Sequence, residues 1–151
     1  MRAVAQRVRS ARVALDGREV AAIGRGLCVF AAVGAGDDGS DSAYIAAKLA
    51  GLRVFDAPDA PGRMRYGPVE AGGAILLVPQ FTLYGDVRRG RRPDFGAAAL
   101  PDEARRWLAA LAVALRDRGL EVSEGVFGAD MQVDVVNDGP VTILLDSRRL
   151  C

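Results

Sequence analysis

Two runs of uninterrupted apolar residues, Leu27 to Val33 and Ala74 to Val78, constrain the fold of this chain more than any other feature. A strand with one wet face alternates apolar and polar residues, whereas a run that is apolar at each step needs cover on both faces. Both runs are far below the roughly 18 residues that span a bilayer, so they predict central strands of a soluble protein. With 151 residues the chain is long enough to bury about two-thirds of the surface its unfolded form exposes, and residues 1–151 read as a single domain.

Around these runs the sequence predicts further strands at Ala3 to Val8, Arg12 to Leu15 and Arg18 to Ile23, the last two joined by the hairpin signal Asp16-Gly17. A helix is expected from about Ser40 to Leu52, with Ser or Asp as N-cap and Ile45, Leu49 and Leu52 on one face. Arg53 to Phe55 reads as a short strand, and residues 56 to 73, rich in Pro and Gly, as loop. A second helix, Pro101 to Arg118, has acids at its start, arginines at its end and Gly119 as its stop. Its Ala104, Leu108, Leu111 and Leu115 form a core stripe, and Trp107 reads as packing. Residues Leu120 to Leu145 read as three strands. Strands outnumber helices and do not alternate with them, which gives an α+β class: a mixed, largely antiparallel, barrel-like sheet with about two packed helices.

Composition removes whole classes of chemistry. The chain has no histidine, so neither a Ser-His-Asp nor a Cys-His arrangement can form, and no zinc can be held by imidazole. Cys28 sits in an apolar run and Cys151 is the last residue; a buried hydrophobe and a free thiol suit a reducing cytoplasm, and make no metal site. No metal and no cofactor are expected. The start of the chain, with Arg2, Arg7, Arg9 and Arg12 but no long apolar segment, reads as neither a secretory signal nor an anchor. All basic residues except Lys48 are arginine, and Arg88, Arg89, Arg91 and Arg92 crowd five positions. Such a cluster is a solvated face by default and a phosphate contact as the functional reading.

Two motifs compete for attention. Gly34-Ala35-Gly36-Asp37-Asp38-Gly39 has the G-x-G-x-x-G spacing of a dinucleotide loop and lies between a strand and a helix. Its two carboxylates would face a pyrophosphate, and the βαβ context is missing, so a surface turn is the better reading. The second signal is distributed over "ILLVPQFTLYGDVRRGRRPDF" from residue 75 and "ADMQVDVVNDGPVT" from residue 129. Each places small, polar and backbone-bending residues at a strand end. Taken alone, Asn137-Asp138-Gly139-Pro140 is a turn between strands. Thr82 is a hydroxyl with no histidine to activate it, so any chemistry must come largely from backbone groups or from the substrate.

Gln6-Arg7-Val8, Gly72-Gly73, Gln80-Phe81-Thr82-Leu83, Arg92-Pro93 with Phe95, Ala129-Asp130-Met131-Gln132-Val133 and Asn137-Asp138-Gly139-Pro140-Val141-Thr142 together resemble the D-aminoacyl-tRNA deacylase family over nearly the full chain. One departure is Pro79, where the family usually has serine. That change removes a hydroxyl and a backbone donor, and it bears on fine specificity. The resemblance implies hydrolysis of the ester of D-aminoacyl-tRNA, and of mischarged glycyl-tRNA, by a homodimer whose active sites lie at its interface. It implies that Phe81 and Thr82 offer backbone N–H groups to the oxyanion, that Gln80 holds their loop and that Met131 lines the pocket. Asn137, Gly139 and Pro140 would form a turn that gates the other subunit's site, braced by Arg7, with a cis Gly139-Pro140 bond setting chirality. Arg88 and Arg89 would meet tRNA phosphates. No membrane and no DNA partner is expected. The alternatives are a small-molecule esterase or D-peptidase, and a noncatalytic tRNA-binding module.

Overall fold

A computed structural model describes residues 1–149; Cys151 and the reading of it as a free thiol lie outside the described residues. The central strand is β3 (Gly26–Ala32), which pairs antiparallel with β1 (Arg2–Leu15) on one side and parallel with β6 (Ala74–Pro79) on the other. Both apolar runs therefore lie mid-sheet. Their side chains split by parity, as strand geometry requires. Leu27, Val29 and Ala31 join Ile75 and Leu77 under two helices, α1 (Gly39–Ala50) and α2 (Pro101–Arg116). Cys28, Leu76 and Val78 face the other way and pack with Val8, Val13 and Ile23.

β1 is what curls the sheet. Its first half pairs with β3 and its second half with β2 (Arg18–Ile23), while β8 (Gln132–Asp146) follows its opposite edge along nearly its whole length. Register shifts between Gln6 and Val8 and between Val8 and Ser10 bend the pair where Arg9 and Ser10 are exposed. The two strands expected at Ala3–Val8 and Arg12–Leu15 are thus one, because a bulged strand crosses a polar interruption without ending. β7 (Val122–Glu124) adds parallel to β6. The α+β class, the mixed barrel-like sheet and the two helices are as expected.

The helices form where the apolar spacing puts them. Asp38 caps α1, accepting from the Ser40 N–H at 2.7 Å, while Asp41 accepts from the Asp38 N–H at 2.8 Å, a reciprocal capping box. Ile45, Leu49, Leu111 and Leu115 are fully enclosed, each worth about 1.5–3 kcal/mol by burial. Trp107 is half-buried against this core, and its carbonyl accepts from the Ser42 hydroxyl at 3.0 Å.

Four other expectations are corrected. Residues 56 to 73 are not all loop: β4 (Phe55–Ala57) and β5 (Ala60–Tyr66) form a separate two-stranded sheet with irregular register, where an edge position tolerates Pro61. The glycine-rich Gly34–Gly39 segment is not simply a surface turn. Asp38 is an exposed cap, but Asp37 is buried and accepts from the Gly34 N–H at 2.6 Å and the Met1 ammonium at 2.5 Å. The last third holds two strands, not three, because β8 runs through Asn137–Pro140 without turning back. The Gly139-Pro140 bond is trans. Residues 138 to 141 stand opposite Arg7 alone, a bulge in the β1–β8 ladder, and within it Gly139 takes φ +111, a conformation open to glycine.

Candidate functional site

β6 ends at Pro79, and the ladder makes one further bond, from the Gln80 N–H to the Ala31 carbonyl at 2.8 Å. The strand pairing with β7 ends at Leu77, where the Gly125 N–H makes a last bond to the Leu77 carbonyl at 2.8 Å, and Pro79, without an N–H, lies just beyond it. The chain then winds into a 3₁₀ turn, Phe81–Tyr84, whose first internal bond runs from the Leu83 N–H to the Gln80 carbonyl at 3.2 Å. The N–H groups of Phe81 and Thr82 precede that bond and donate to no protein group among the described residues. The Gln80 side-chain amide donates to the Thr82 hydroxyl, tying the turn across its mouth.

Beside this turn lies a cavity of about 850 Å³. Gln80 and Phe81 line one end and Met131 another, with Pro79, Phe95, Leu108 and Phe127 among the walls. Phe81 is 58% exposed and meets Phe95 edge to face, ring centroids 5.1 Å apart. Met131 fits because position 125 is glycine: a Cβ there would fall 2.9 Å from the Met131 sulfur. The mostly apolar wall lowers the local dielectric, which strengthens any dipole aimed inward. Arg105 reaches the rim, its guanidinium 4.4 Å from the Phe127 ring centre. Sequence reading missed Arg105 and Phe127, since neither has a motif around it.

Arg7, Asn137, Gly139 and Pro140 do not line this cavity. They gather where β8 crosses β1. The Arg7 Nε donates to the Asp138 carbonyl at 3.0 Å, its terminal nitrogen donates to the Val54 carbonyl, and its Nε stands 3.6 Å from the Asp138 carboxylate. A Cβ on Gly139 would overlap the Arg7 guanidinium. The Asn137 Oδ1 is buried and lacks a partner among the described residues. The chain therefore brings Gln80, Phe81, Thr82 and Met131 together, and Arg7, Asn137, Gly139 and Pro140 together, as two groups.

Arg88 and Arg89 follow the 3₁₀ turn on an exposed loop. Arg88 forks onto Asp86 with contacts of 2.9, 3.0 and 2.6 Å. That hydrogen bonding lowers the Asp86 carboxyl to about 2, so the pair remains charged at any working pH. Arg89 makes no side-chain bond of this kind among the described residues.

A family model described as D-Tyr-tRNA(Tyr) deacylase matches residues 4–146, which takes in both groups. The chain belongs to this family. Among its relatives, the D-aminoacyl-tRNA deacylase of Anaeromyxobacter dehalogenans is 54% identical over 150 residues, covering 99% of each chain. That of Thermus aquaticus is 50% identical over 147 residues, covering 97% of this chain and 95% of its own. A solved structure named c-Myc DNA Unwinding Element Binding Protein superimposes with a TM-score of 0.90 at 36% identity, covering 97% of this chain and 98% of that one. A probable eukaryotic D-amino acid tRNA deacylase shares the fold, with a TM-score of 0.82 at 19% identity over 95% of this chain and 97% of the other.

Proposed function

We propose that this deacylase-family chain hydrolyses the ester of D-aminoacyl-tRNA, releasing the D-amino acid and free tRNA. The observation that carries the reading is the pair of unspent N–H groups on Phe81, which lines an apolar cavity, and on the adjacent Thr82, in a chain without histidine. Two fixed backbone donors suit an ester carbonyl that gains negative charge as water adds to its carbon. The bond to the ribose oxygen then breaks and that oxygen takes a proton. The neighbouring ribose 2′-hydroxyl can activate the water, so the substrate supplies what the protein lacks. Gln80 holds the turn through Thr82, and Met131 shapes the pocket.

Selection against L-substrates is assigned to the Asn137–Pro140 segment acting in the site of a second copy. Three features support this. Among the described residues, the segment stands outside its own chain's cavity, the buried Asn137 Oδ1 accepts no hydrogen bond, and β8 pairs only with β1, which leaves its outer edge open. An open edge with Val136 and Leu144 exposed is a natural seat for a symmetric partner. Gly139 has no Cβ to displace Arg7, so the guanidinium holds this backbone in place; presented to the substrate's α-carbon, that fixed backbone leaves no room for an L side chain, while glycine itself passes. The arginine loop after the turn supplies tRNA phosphate contacts, led by Arg89. No helix of the described residues is long and apolar enough to cross a membrane, and the cytoplasm is where such a substrate arises.

Purified protein should shorten the lifetime of a D-aminoacyl-tRNA ester and spare its L counterpart. Equal action on RNA-free aminoacyl esters would favour a small-molecule esterase or D-peptidase, and binding of tRNA without hydrolysis would favour a noncatalytic module.

A further inference from the structure

The 3₁₀ turn is held at its far end by residues that take no part in lining the cavity. Arg2, at the start of β1, places its Nε 3.1 Å from the Asp146 carboxylate and donates a terminal N–H to the Leu83 carbonyl at 3.2 Å. The same guanidinium lies over the Tyr84 ring, 4.5 Å from its centre. Tyr84 is seated in turn: its ring fills the space that a Cβ on Gly34 would need, and its hydroxyl lies 3.4 Å from Asp37. Asp37 is enclosed and fixed by the Met1 ammonium at 2.5 Å and by Arg148 at 2.9 Å. Asp146 is fixed by the Arg148 N–H at 2.8 Å.

These contacts join on two consecutive residues, Leu83 and Tyr84, next in sequence to the two that carry the free N–H groups. Leu83 also closes the turn by its bond to the Gln80 carbonyl. A shift of the Leu83 peptide therefore tilts the peptide planes of Phe81 and Thr82. A guanidinium is suited to this task because its planar fork reaches a carbonyl and a carboxylate at once and still stacks on a ring.

We propose that Arg2 is a positioning residue for the hydrolysis: it locks the Leu83 carbonyl against Asp146 and Tyr84, and so aims the Phe81 and Thr82 N–H groups at the ester oxygen. The inference rests on the deacylase reading above. It assigns Arg2 no contact with substrate, since the cavity is lined without it.

The test compares wild type, Arg2→Lys and Arg2→Ala by single-turnover hydrolysis of one D-aminoacyl-tRNA at saturating protein, with tRNA affinity by filter binding. Melting midpoint and sedimentation are measured on the same samples. Lysine keeps the charge but reaches one acceptor at a time. The rate is expected to fall about 10-fold in Arg2→Lys and about 100-fold in Arg2→Ala, the scale set by small misplacements of reacting groups. Affinity should stay within about twofold of wild type at this distance from the cavity. Wild-type rates in both variants, a loss confined to affinity, or a rate loss that follows a changed sedimentation coefficient or disappears well below each melting midpoint would overturn the inference alone. A wild-type protein that fails to hydrolyse the ester would remove the deacylase reading, and this inference with it.

Discussion

Gly139→Ala probes the proposed gate at one atom. Two effects add at this position. An alanine held at φ +111 is strained by about 1–3 kcal/mol. Its methyl would also enter the Arg7 guanidinium, which must withdraw from the Asp138 carbonyl, the Val54 carbonyl or both. Losing one hydrogen bond from a charged donor costs about 1.5–3 kcal/mol. With partial relaxation a net of about 3 kcal/mol on the local geometry is a fair middle figure. If that geometry orients the substrate's α-carbon, the single-turnover rate on a D-aminoacyl-tRNA should fall by about two orders of magnitude, since each 1.36 kcal/mol is roughly tenfold. The melting midpoint should fall by about 2–4 °C for each kcal/mol that the folded state loses. Gly17→Ala is the matched control: it stands at φ +77 with nothing within 4 Å of the added methyl. It should lower the midpoint and leave the rate alone. An unchanged D rate and an unchanged preference for D over L in Gly139→Ala would refute the gate.

Asp86→Asn should tighten tRNA binding by a few-fold and steepen its salt dependence, because Arg88 is then released from its carboxylate for a phosphate; unchanged binding would mark Arg88 as a solvated side chain. Replacing Arg89 by alanine should flatten the same salt slope in a filter-binding titration, and an unaltered slope would remove Arg89 from the interface. Chelators should leave the hydrolysis rate unchanged, since the chain has no histidine and the described residues hold no group of three Cys, Asp or Glu placed to bind a metal; activity lost to chelation and restored by zinc would contradict this. The Tyr84 hydroxyl is pushed well above the usual tyrosine range, first by burial and then by the charge of Asp37. Its neutral form is the one the fold favours, so that contribution is fully present below the free-tyrosine pKa of about 10 and is lost only as the pH rises through the higher folded value. Ultraviolet titration of wild type against Tyr84→Phe should therefore show no tyrosinate step assignable to Tyr84 near pH 10.

The sheet was legible because apolar runs and turn residues act locally. Leu27–Val33 has few ways to hide seven apolar side chains, and it sits mid-sheet. The helices were legible from stripes such as Ala104, Leu108, Leu111 and Leu115, all of which are buried. What sequence could not show was pairing that overrides local turn chemistry. Asn137-Asp138-Gly139-Pro140 has turn composition, yet the strand pairs with β1 on both sides of it, so residues 138 to 141 form a bulge opposite Arg7 rather than a turn, with Gly139 at a positive φ and a trans bond. Chirality set by a cis bond there is overturned, and the case for the gate rests on the missing Cβ. Residues 137 to 140 were legible as special but not as standing apart from the cavity, because the distance between Gly139 and Phe81 depends on how β1 bends. Asp37 and Arg2 were hidden for a related reason. Their partners, Met1, Tyr84, Asp146 and Arg148, are spread over nearly the whole chain and meet only after folding.

Hydrolysis of one tRNA charged in parallel with the D- and L-forms of the same amino acid tests the central claim most directly. The protein is predicted to release the D-amino acid in single turnover while the L ester decays at its uncatalysed rate, with the RNA-free D ester left largely intact. Equal lifetimes of the D ester with and without protein, or equal acceleration of both enantiomers, would contradict it.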